Sequence, residues 1–164
     1  MTSSTLPPRH ACVGLDALHI AALGLIQNAQ RDLYLMTPDL EPARLDRADL
    51  ALAVSVFARS SRYTRVQILI SSAERLSCNA HALLQLHRRM PSQIDIRQVS
   101  ADDATHDRMM IIDARHRLLI DPNPRQWSGW LCLDDLPSAH QQAELFASRW
   151  QHARPIRELR QLSL

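Results

Sequence analysis

Three polar residues within a short stretch, His106, Arg108 and Asp113, have types and a spacing suited to acting on a phosphate ester. The residues between Arg108 and Asp113 (MMII) are all apolar, which predicts a strand over Thr105 to Ile112 that is covered on both faces. Residues two apart on a strand share a face, so His106 and Arg108 are expected to project together. An imidazole can attack phosphorus or move a proton, and a guanidinium can hold the anion. Asp113 closes the strand, where it either orients an imidazole or begins a turn.

This spacing resembles the His-x-Lys-x4-Asp signature of the phospholipase D superfamily, with Arg108 in place of the lysine. Every one of the 19 cationic side chains is arginine and the sequence contains no lysine, so Arg108 follows a bias of the whole chain. The resemblance implies that His106 is the nucleophile or the acid. It also implies that Arg108 binds the phosphate and that Asp113 supports the imidazole.

A second departure from the family follows the motif. Active members often continue with Gly-Ser-x-Asn, whereas this chain reads Ile120-Asp121-Pro122-Asn123. Asn123 falls on the asparagine and is the candidate substrate-binding residue, although it is also a reasonable turn residue between two prolines. Asp121 would repel a phosphate, and Ile120 fills space that glycine leaves open. A catalytically inactive phospholipase D-like module for binding or assembly is therefore the alternative function.

The elements that must position the motif are indicated by apolar periodicity. Helices are predicted over Gly14 to Gln30, about Asp46 to Arg59, Leu76 to Arg89 and Ser138 to His152, with Asp46 and Ser138 as N-caps. Strands are predicted at Asp32 to Thr37, at Val66 to Ile70, around Ile94 to Val99 and at Arg117 to Ile120. The last helix is expected to bury Ala143, Phe146, Ala147 and Trp150. This order predicts an α/β fold, a mixed β-sheet flanked by helices, and it resembles one half-unit of the phospholipase D fold.

The domain organisation follows from length and local composition. We expect a flexible N-terminal segment over residues 1–13 and a single domain over residues 14–164. The stretch from Asp121 to Pro137 is rich in proline and predicts a long structured loop. Its Trp127 and Trp130 either stack on a base or, as is commoner for such pairs, fix the loop to the core.

Composition narrows the function classes. A net charge of +2 predicts no particular partner. Cys12, Cys78 and Cys132 are odd in number and far apart, which argues against a disulfide framework and fits a reducing cytoplasm. Neither a signal peptide nor an apolar run long enough to span a membrane is visible. The resemblance to the phospholipase D superfamily implies no metal or cofactor, which agrees with the absence of an apparent ligand cluster.

The chemistry implied by the family needs two histidines, and this chain carries one motif. Active members with a single motif resemble a small bacterial endonuclease branch in which a homodimer brings two motifs together. We therefore expect a homodimer if the protein is catalytic, with nucleic acid favoured over lipid as the phosphodiester. The stretches Arg88 to Arg97 and Glu158 to Leu164 also resemble an uncharacterised bacterial phospholipase D-like family.

Overall fold

The computed structural model describes residues 9–40, 45–73, 81–103, 109–113, 117–120 and 127–160. The strands are β1 (Arg9–Val13), β2 (Asp32–Thr37), β3 (Arg65–Ile70), β4 (Ile94–Gln98), β5 (Met109–Ile112), β6 (Arg117–Ile120), β7 (Ser128–Cys132) and β8 (Arg154–Pro155). The helices are α1 (Leu15–Asn28), α2 (Ala48–Arg59), α3 (Ala82–Arg89), α4 (Leu136–His152) and α5 (Arg157–Arg160).

The eight strands in the described ranges belong to one mixed sheet in the order β1-β7-β6-β5-β2-β3-β4-β8. The central strands β2, β3 and β4 are parallel because helices α2 and α3 cross over between them. The remaining neighbours are antiparallel, including β5 with β2 and β6 with β5. The predicted α/β fold with a mixed sheet flanked by helices is therefore confirmed.

Helices cover both faces of the central strands, which explains the continuous apolar run of β5. Met109 and Ile111 belong to the larger core, beneath α1, α2 and α3. Met110 and Ile112 alternate onto the other face and join a smaller core beneath α4. Because successive side chains of a strand point to opposite faces, a strand buried on both faces must be apolar at every position.

Two helix starts differ from the sequence-based prediction. Asp46 does not cap α2, which begins after Arg47 without a side-chain cap. The Asp46 carboxylate instead accepts from the backbone N–H of Ala82, at 2.9 Å, in the first turn of α3. The predicted start of that helix at Leu76 is also wrong, because the backbone of His81 is extended and its Nδ1 accepts from the Leu83 N–H at 3.2 Å. Residues 74–80 lie outside the described ranges.

The predicted flexible segment and the predicted long loop both contain strands. Residues 9–13 form β1, which pairs antiparallel with β7 from the predicted loop. β7 also pairs with β6, so both of its edges are hydrogen-bonded and its backbone is satisfied. The loop prediction fails again at α4, which begins at Leu136. There Asp135, and not Ser138, is the cap, since its carboxylate accepts from the Ser138 N–H at 3.3 Å.

A polar contact joins α1 and α2 near the N-terminal ends of both helices. The Nε2–H of His19 donates to Asp49 Oδ2 at 2.6 Å, and this bond holds the pKa of Asp49 below its ordinary value of 3.8. A carboxyl group with a lowered pKa stabilises the fold above that ordinary value, and the stabilisation is lost as pH falls through the folded value.

We therefore expect Asp49→Asn to lower the urea midpoint at neutral pH, and the difference from wild type to shrink as pH falls below 3.8. Equilibrium unfolding over this pH range measures it. Asp16→Asn on α1, where the carboxylate is exposed, is the matched control. A deficit of Asp49→Asn that does not change with pH would contradict the ionic origin of the contact.

Within the described ranges, no helix combines the length and the apolar character that crossing a bilayer requires.

Candidate functional site

One edge of the sheet collects the ends of four strands. The parallel strands β2, β3 and β4 finish there at Thr37, Ile70 and Gln98. β5 runs the other way and begins at the same edge, with Met110 directly opposite Met36. We call this edge, at residues 37, 70, 98 and 109, the carboxyl edge. Open α/β sheets bind ligands outside the carboxyl ends of their strands, so it is the candidate functional site.

The sequence motif enters the sheet at this edge. Met109, the first residue of β5, directly follows Arg108 in the chain. His106, Arg108 and Asn123 themselves lie outside the described residues, and their roles stay predictions. The described part therefore establishes that the chain directly after Arg108 is β5, at the carboxyl edge.

Asp113 lies away from the carboxyl edge. It directly follows the last residue of β5, is buried and has an interaction partner within the fold. The four residues of β5 span about 13 Å, so Asp113 lies the full length of this strand away from the carboxyl edge. Its predicted support of the imidazole stays a prediction. By position, Asp113 belongs to the opposite edge of the sheet.

Backbone and side-chain hydrogen bonds make the carboxyl edge a connected frame. The buried hydroxyl of Thr37 donates to the carbonyl of Asp39 at 2.6 Å. The Ser71 N–H donates to the Pro38 carbonyl at 3.0 Å, which joins the ends of β2 and β3. The Gln98 amide donates to the Ser71 carbonyl at 3.3 Å, which adds the end of β4. Such bonds fix the backbone from which a binding site can be built.

The chain approaches the motif through a short turn after β4. The Val99 N–H still donates to the Ile70 carbonyl at 2.9 Å, so the chain remains attached to the sheet. The Ser100 hydroxyl then donates to Asp103 Oδ2 at 3.1 Å, and the Asp103 N–H donates to the Ser100 carbonyl at 3.0 Å. These bonds close a 3-10 turn over Ala101–Asp103, three residues before His106.

Sequence reasoning missed Arg149, a buried arginine on α4 beside this edge. Its Nη1 donates to the sulfur of Met36 at 3.2 Å. Burial lowers the pKa of Arg149, and the negative charge of Asp103 opposes that shift. The prediction that Ala147 faces inward is wrong, since Ala147 is exposed. The helical spacing of Phe146 to Arg149 was the available signal, but the cost of burying a charge argued against reading arginine as an inward residue.

We expect Arg149→Gln to lower the free energy of unfolding by about 1–3 kcal/mol, because the change leaves buried partners of the guanidinium unsatisfied. Urea denaturation at neutral pH measures this loss. The control is Arg157→Gln. Arg157 is exposed on α5, so this substitution should leave the free energy of unfolding unchanged. Equal midpoints for the two variants would show that the buried guanidinium contributes nothing.

The two tryptophans have different environments. Trp127 is partly buried and packs against the larger core, whereas Trp130 on β7 is exposed. Of the two alternatives for this pair, fixing the loop to the core therefore applies to Trp127 and not to Trp130. Among the residues that the structure describes, no group of three or more histidine, cysteine or carboxylate side chains is arranged to hold a metal ion.

Known structures share this fold. Nuc from Salmonella typhimurium, a phospholipase D family member, aligns with a TM-score of 0.66 and 18% identity over 93% of this chain and 99% of Nuc. Phosphatidylserine synthase from Haemophilus influenzae aligns with a TM-score of 0.66 and 16% identity over 100% of this chain and 43% of the synthase. TrmBL2, an archaeal chromatin protein, aligns with a TM-score of 0.64 and 14% identity over 94% of this chain and 57% of TrmBL2.

The chain thus spans nearly all of Nuc and about half of the other two proteins. At these identities the likeness concerns the fold, which is phospholipase D-like as the sequence resemblance implied. No curated protein matches the chain in sequence. The family model described as "Domain of unknown function (DUF7931)" matches residues 14–162, and the chain is a member of that family.

Proposed function

We propose that this protein is a phospholipase D-like phosphodiesterase that acts on nucleic acid as a homodimer, without a metal ion. The observation that carries the proposal is the position of the motif. In a fold shared with a phospholipase D family member, the His-x-Arg sequence leads directly into β5 at the carboxyl edge. Open α/β sheets bind ligands at that edge, so residues there are positioned to bind a substrate.

The proposed reaction has two displacement steps. A ring nitrogen of one His106 attacks phosphorus, so that an N–P bond forms while the bond to the leaving oxygen breaks. The imidazolium of a second His106 gives its proton to that oxygen. Water then attacks phosphorus, loses a proton to the second imidazole and releases the first. Arg108 balances the phosphate charge, and the Asn123 amide donates to a phosphate oxygen.

The second histidine comes from a second copy of the chain, because each chain has one motif. A two-fold axis beside the carboxyl edge would place both motifs at a single phosphate, since an isologous contact repeats the same residues on each side. The proposed assembly therefore has one composite site for two chains.

Nucleic acid is the proposed substrate class for two reasons. TrmBL2, which shares the fold, is a chromatin protein whose structure shows DNA binding. In addition, Trp130 is exposed on β7, and an exposed aromatic ring can stack on a base.

The test is hydrolysis of bis(4-nitrophenyl) phosphate and of single-stranded DNA in excess EDTA, with wild type beside His106→Ala. We expect release of product by wild type and none above background by the variant. Equal background rates would overturn the phosphodiesterase proposal for these substrates. They would favour the inactive binding or assembly module, which the departures at Arg108, Ile120 and Asp121 already suggest.

A further inference from the structure

Helix α2 presents a continuous exposed stripe to the surroundings. Asp49, Leu52, Val56 and Arg59 are spaced by three, four and three residues and are all exposed, with Leu52 61% and Val56 56% accessible. This spacing places them along one side of a helix, as in a coiled-coil seam. The opposite side of α2 carries its buried residues, Leu50, Ala53, Val54, Phe57 and Ala58. The stripe therefore faces away from the core of its own chain.

The stripe is symmetric about residue 54. Leu52 and Val56 lie two residues from that position, and Asp49 and Arg59 lie five residues from it. If two copies of α2 cross antiparallel there, Leu52 of each copy meets Val56 of the other. Each Asp49 then meets the Arg59 of the other copy. This antiparallel crossing therefore pairs apolar with apolar side chains at its centre and an acid with a base at each end.

The neighbouring surface can accept a second copy. On α1, Ile20 is 69% exposed, and Leu23, one turn later, is half-buried. A groove of about 340 Å³ lies between α1 and α2 and is lined by residues that include Leu23, Leu52 and Val56. Contiguous exposed aliphatic side chains around a groove are typical of protein interaction surfaces. Packing in the groove would remove the partner's Leu52 or Val56 from water.

We propose that α2 pairs antiparallel with α2 of a second copy, through the stripe of Asp49, Leu52, Val56 and Arg59. The proposal rests on this self-complementary order of apolar and charged residues. An isologous interface requires that order, whereas a different partner protein does not. The 12 residues of α2 span about 18 Å, which is long enough for both charged pairs to form.

This contact is separate from the proposed catalytic dimer. α2 follows β2 and precedes β3, which is parallel to β2, so α2 runs from the carboxyl edge back to the opposite edge. An antiparallel pair of α2 helices therefore points the two carboxyl edges in opposite directions. The contact holds whether or not the protein hydrolyses phosphodiesters.

Sedimentation equilibrium of the full chain tests the inference. Wild type should self-associate, and Leu52→Arg should raise the dissociation constant at least about tenfold, because it places a cation in the apolar centre of the contact. Arg59→Glu should raise it about threefold or more, by setting two acids against each other, and Arg59→Lys should restore it. The matched control is Leu145→Arg, since Leu145 is 41% exposed on α4, outside the stripe.

The molecular masses of wild type and Leu52→Arg in solution distinguish the possible outcomes. If α2 provides the sole contact, wild type has twice the 18.6 kDa chain mass and Leu52→Arg has the chain mass. If the catalytic dimer also forms, wild type is larger than a dimer and Leu52→Arg is a dimer. Either result supports the inference. It is overturned if wild type is monomeric at about 100 μM, a concentration that would populate a contact of micromolar Kd. It is also overturned if Leu52→Arg associates as strongly as Leu145→Arg.

Two further measurements distinguish loss of the α2 contact from loss of folding or of activity. Circular dichroism melting identifies a Leu52→Arg protein that has failed to fold, and Leu52→Gln then replaces it, with Leu145→Gln as its control. Hydrolysis by the Leu52 variants is measured in parallel. Loss of self-association with the phosphodiesterase intact, or in a protein that never had it, separates this inference from the proposed function.

Discussion

Replacing His106 by alanine should reduce the hydrolysis of bis(4-nitrophenyl) phosphate in EDTA to background, a loss of at least about 10³-fold in kcat. In the proposed dimer, a single substitution removes both the nucleophile and the acid, because His106 supplies each of them from a different copy. Proton transfer by a placed side chain contributes about 10²–10⁴ in rate, and loss of the nucleophile adds to that. Few single changes in this chain should have a larger effect on rate.

The control for this variant is His140→Ala. His140 is an exposed histidine on α4, paired with Glu144 one turn later at 3.0 Å, and it lies outside the proposed machinery. It should retain the wild-type rate. Mixing His106→Ala with wild type should lower the rate per wild-type chain, because mixed dimers hold one histidine. A fully active His106→Ala protein, or an equal loss in His140→Ala, would exclude the phosphohistidine mechanism.

Phe146→Ala should cost about 3–5 kcal/mol in the free energy of unfolding, the largest stability effect that we expect from a single substitution. Phe146 is 1% exposed and lies between two aromatic rings, with centroids 4.8 Å from Tyr34 and 5.8 Å from Trp150. It joins α4 to β2 within the smaller core. Truncation removes these ring contacts and leaves a cavity that the packed sheet cannot close.

Urea denaturation at neutral pH measures this effect, and the adjacent Leu145→Ala is the control. Leu145 belongs to the same helix but is 41% exposed, so its truncation should change stability by less than about 1 kcal/mol. Because Arg149 follows Phe146 by one helical turn, the Phe146 variant should also displace the guanidinium from Met36. Equal costs at positions 145 and 146 would show that α4 does not pack as described.

The elements with strong periodicity were predictable from the sequence. The strand from Asp32 to Thr37 has the predicted bounds, and α2 ends at the predicted Arg59. These agreements have a local cause. Apolar residues that recur with the period of a helix or strand leave one arrangement that removes them from water. The same signal does not report which other segment will cover them.

The candidate site was predictable only as a position along the chain. The motif resemblance and the apolar run predicted a buried strand over Thr105 to Ile112 that carries His106 and Arg108, and the structure describes this strand from Met109, at the carboxyl edge. Arg149 could not be identified in this way. Its burial depends on Met36, which is 113 residues away in sequence, and on Asp103, and no local pattern contains those contacts.

The sequence by itself determined the order of α1 to α4 and of β2 to β6, the α/β class and the position of His106 and Arg108 next to the apolar run of β5, because each depends on residues close together in the chain. The tertiary structure alone decided the rest. It paired β1 with β7 and turned Asp46 to the first turn of α3. It also buried Arg149 and left the α2 stripe exposed. Those features depend on free backbone and side-chain groups meeting partners that are distant in sequence, and such meetings exist only once the chain has folded.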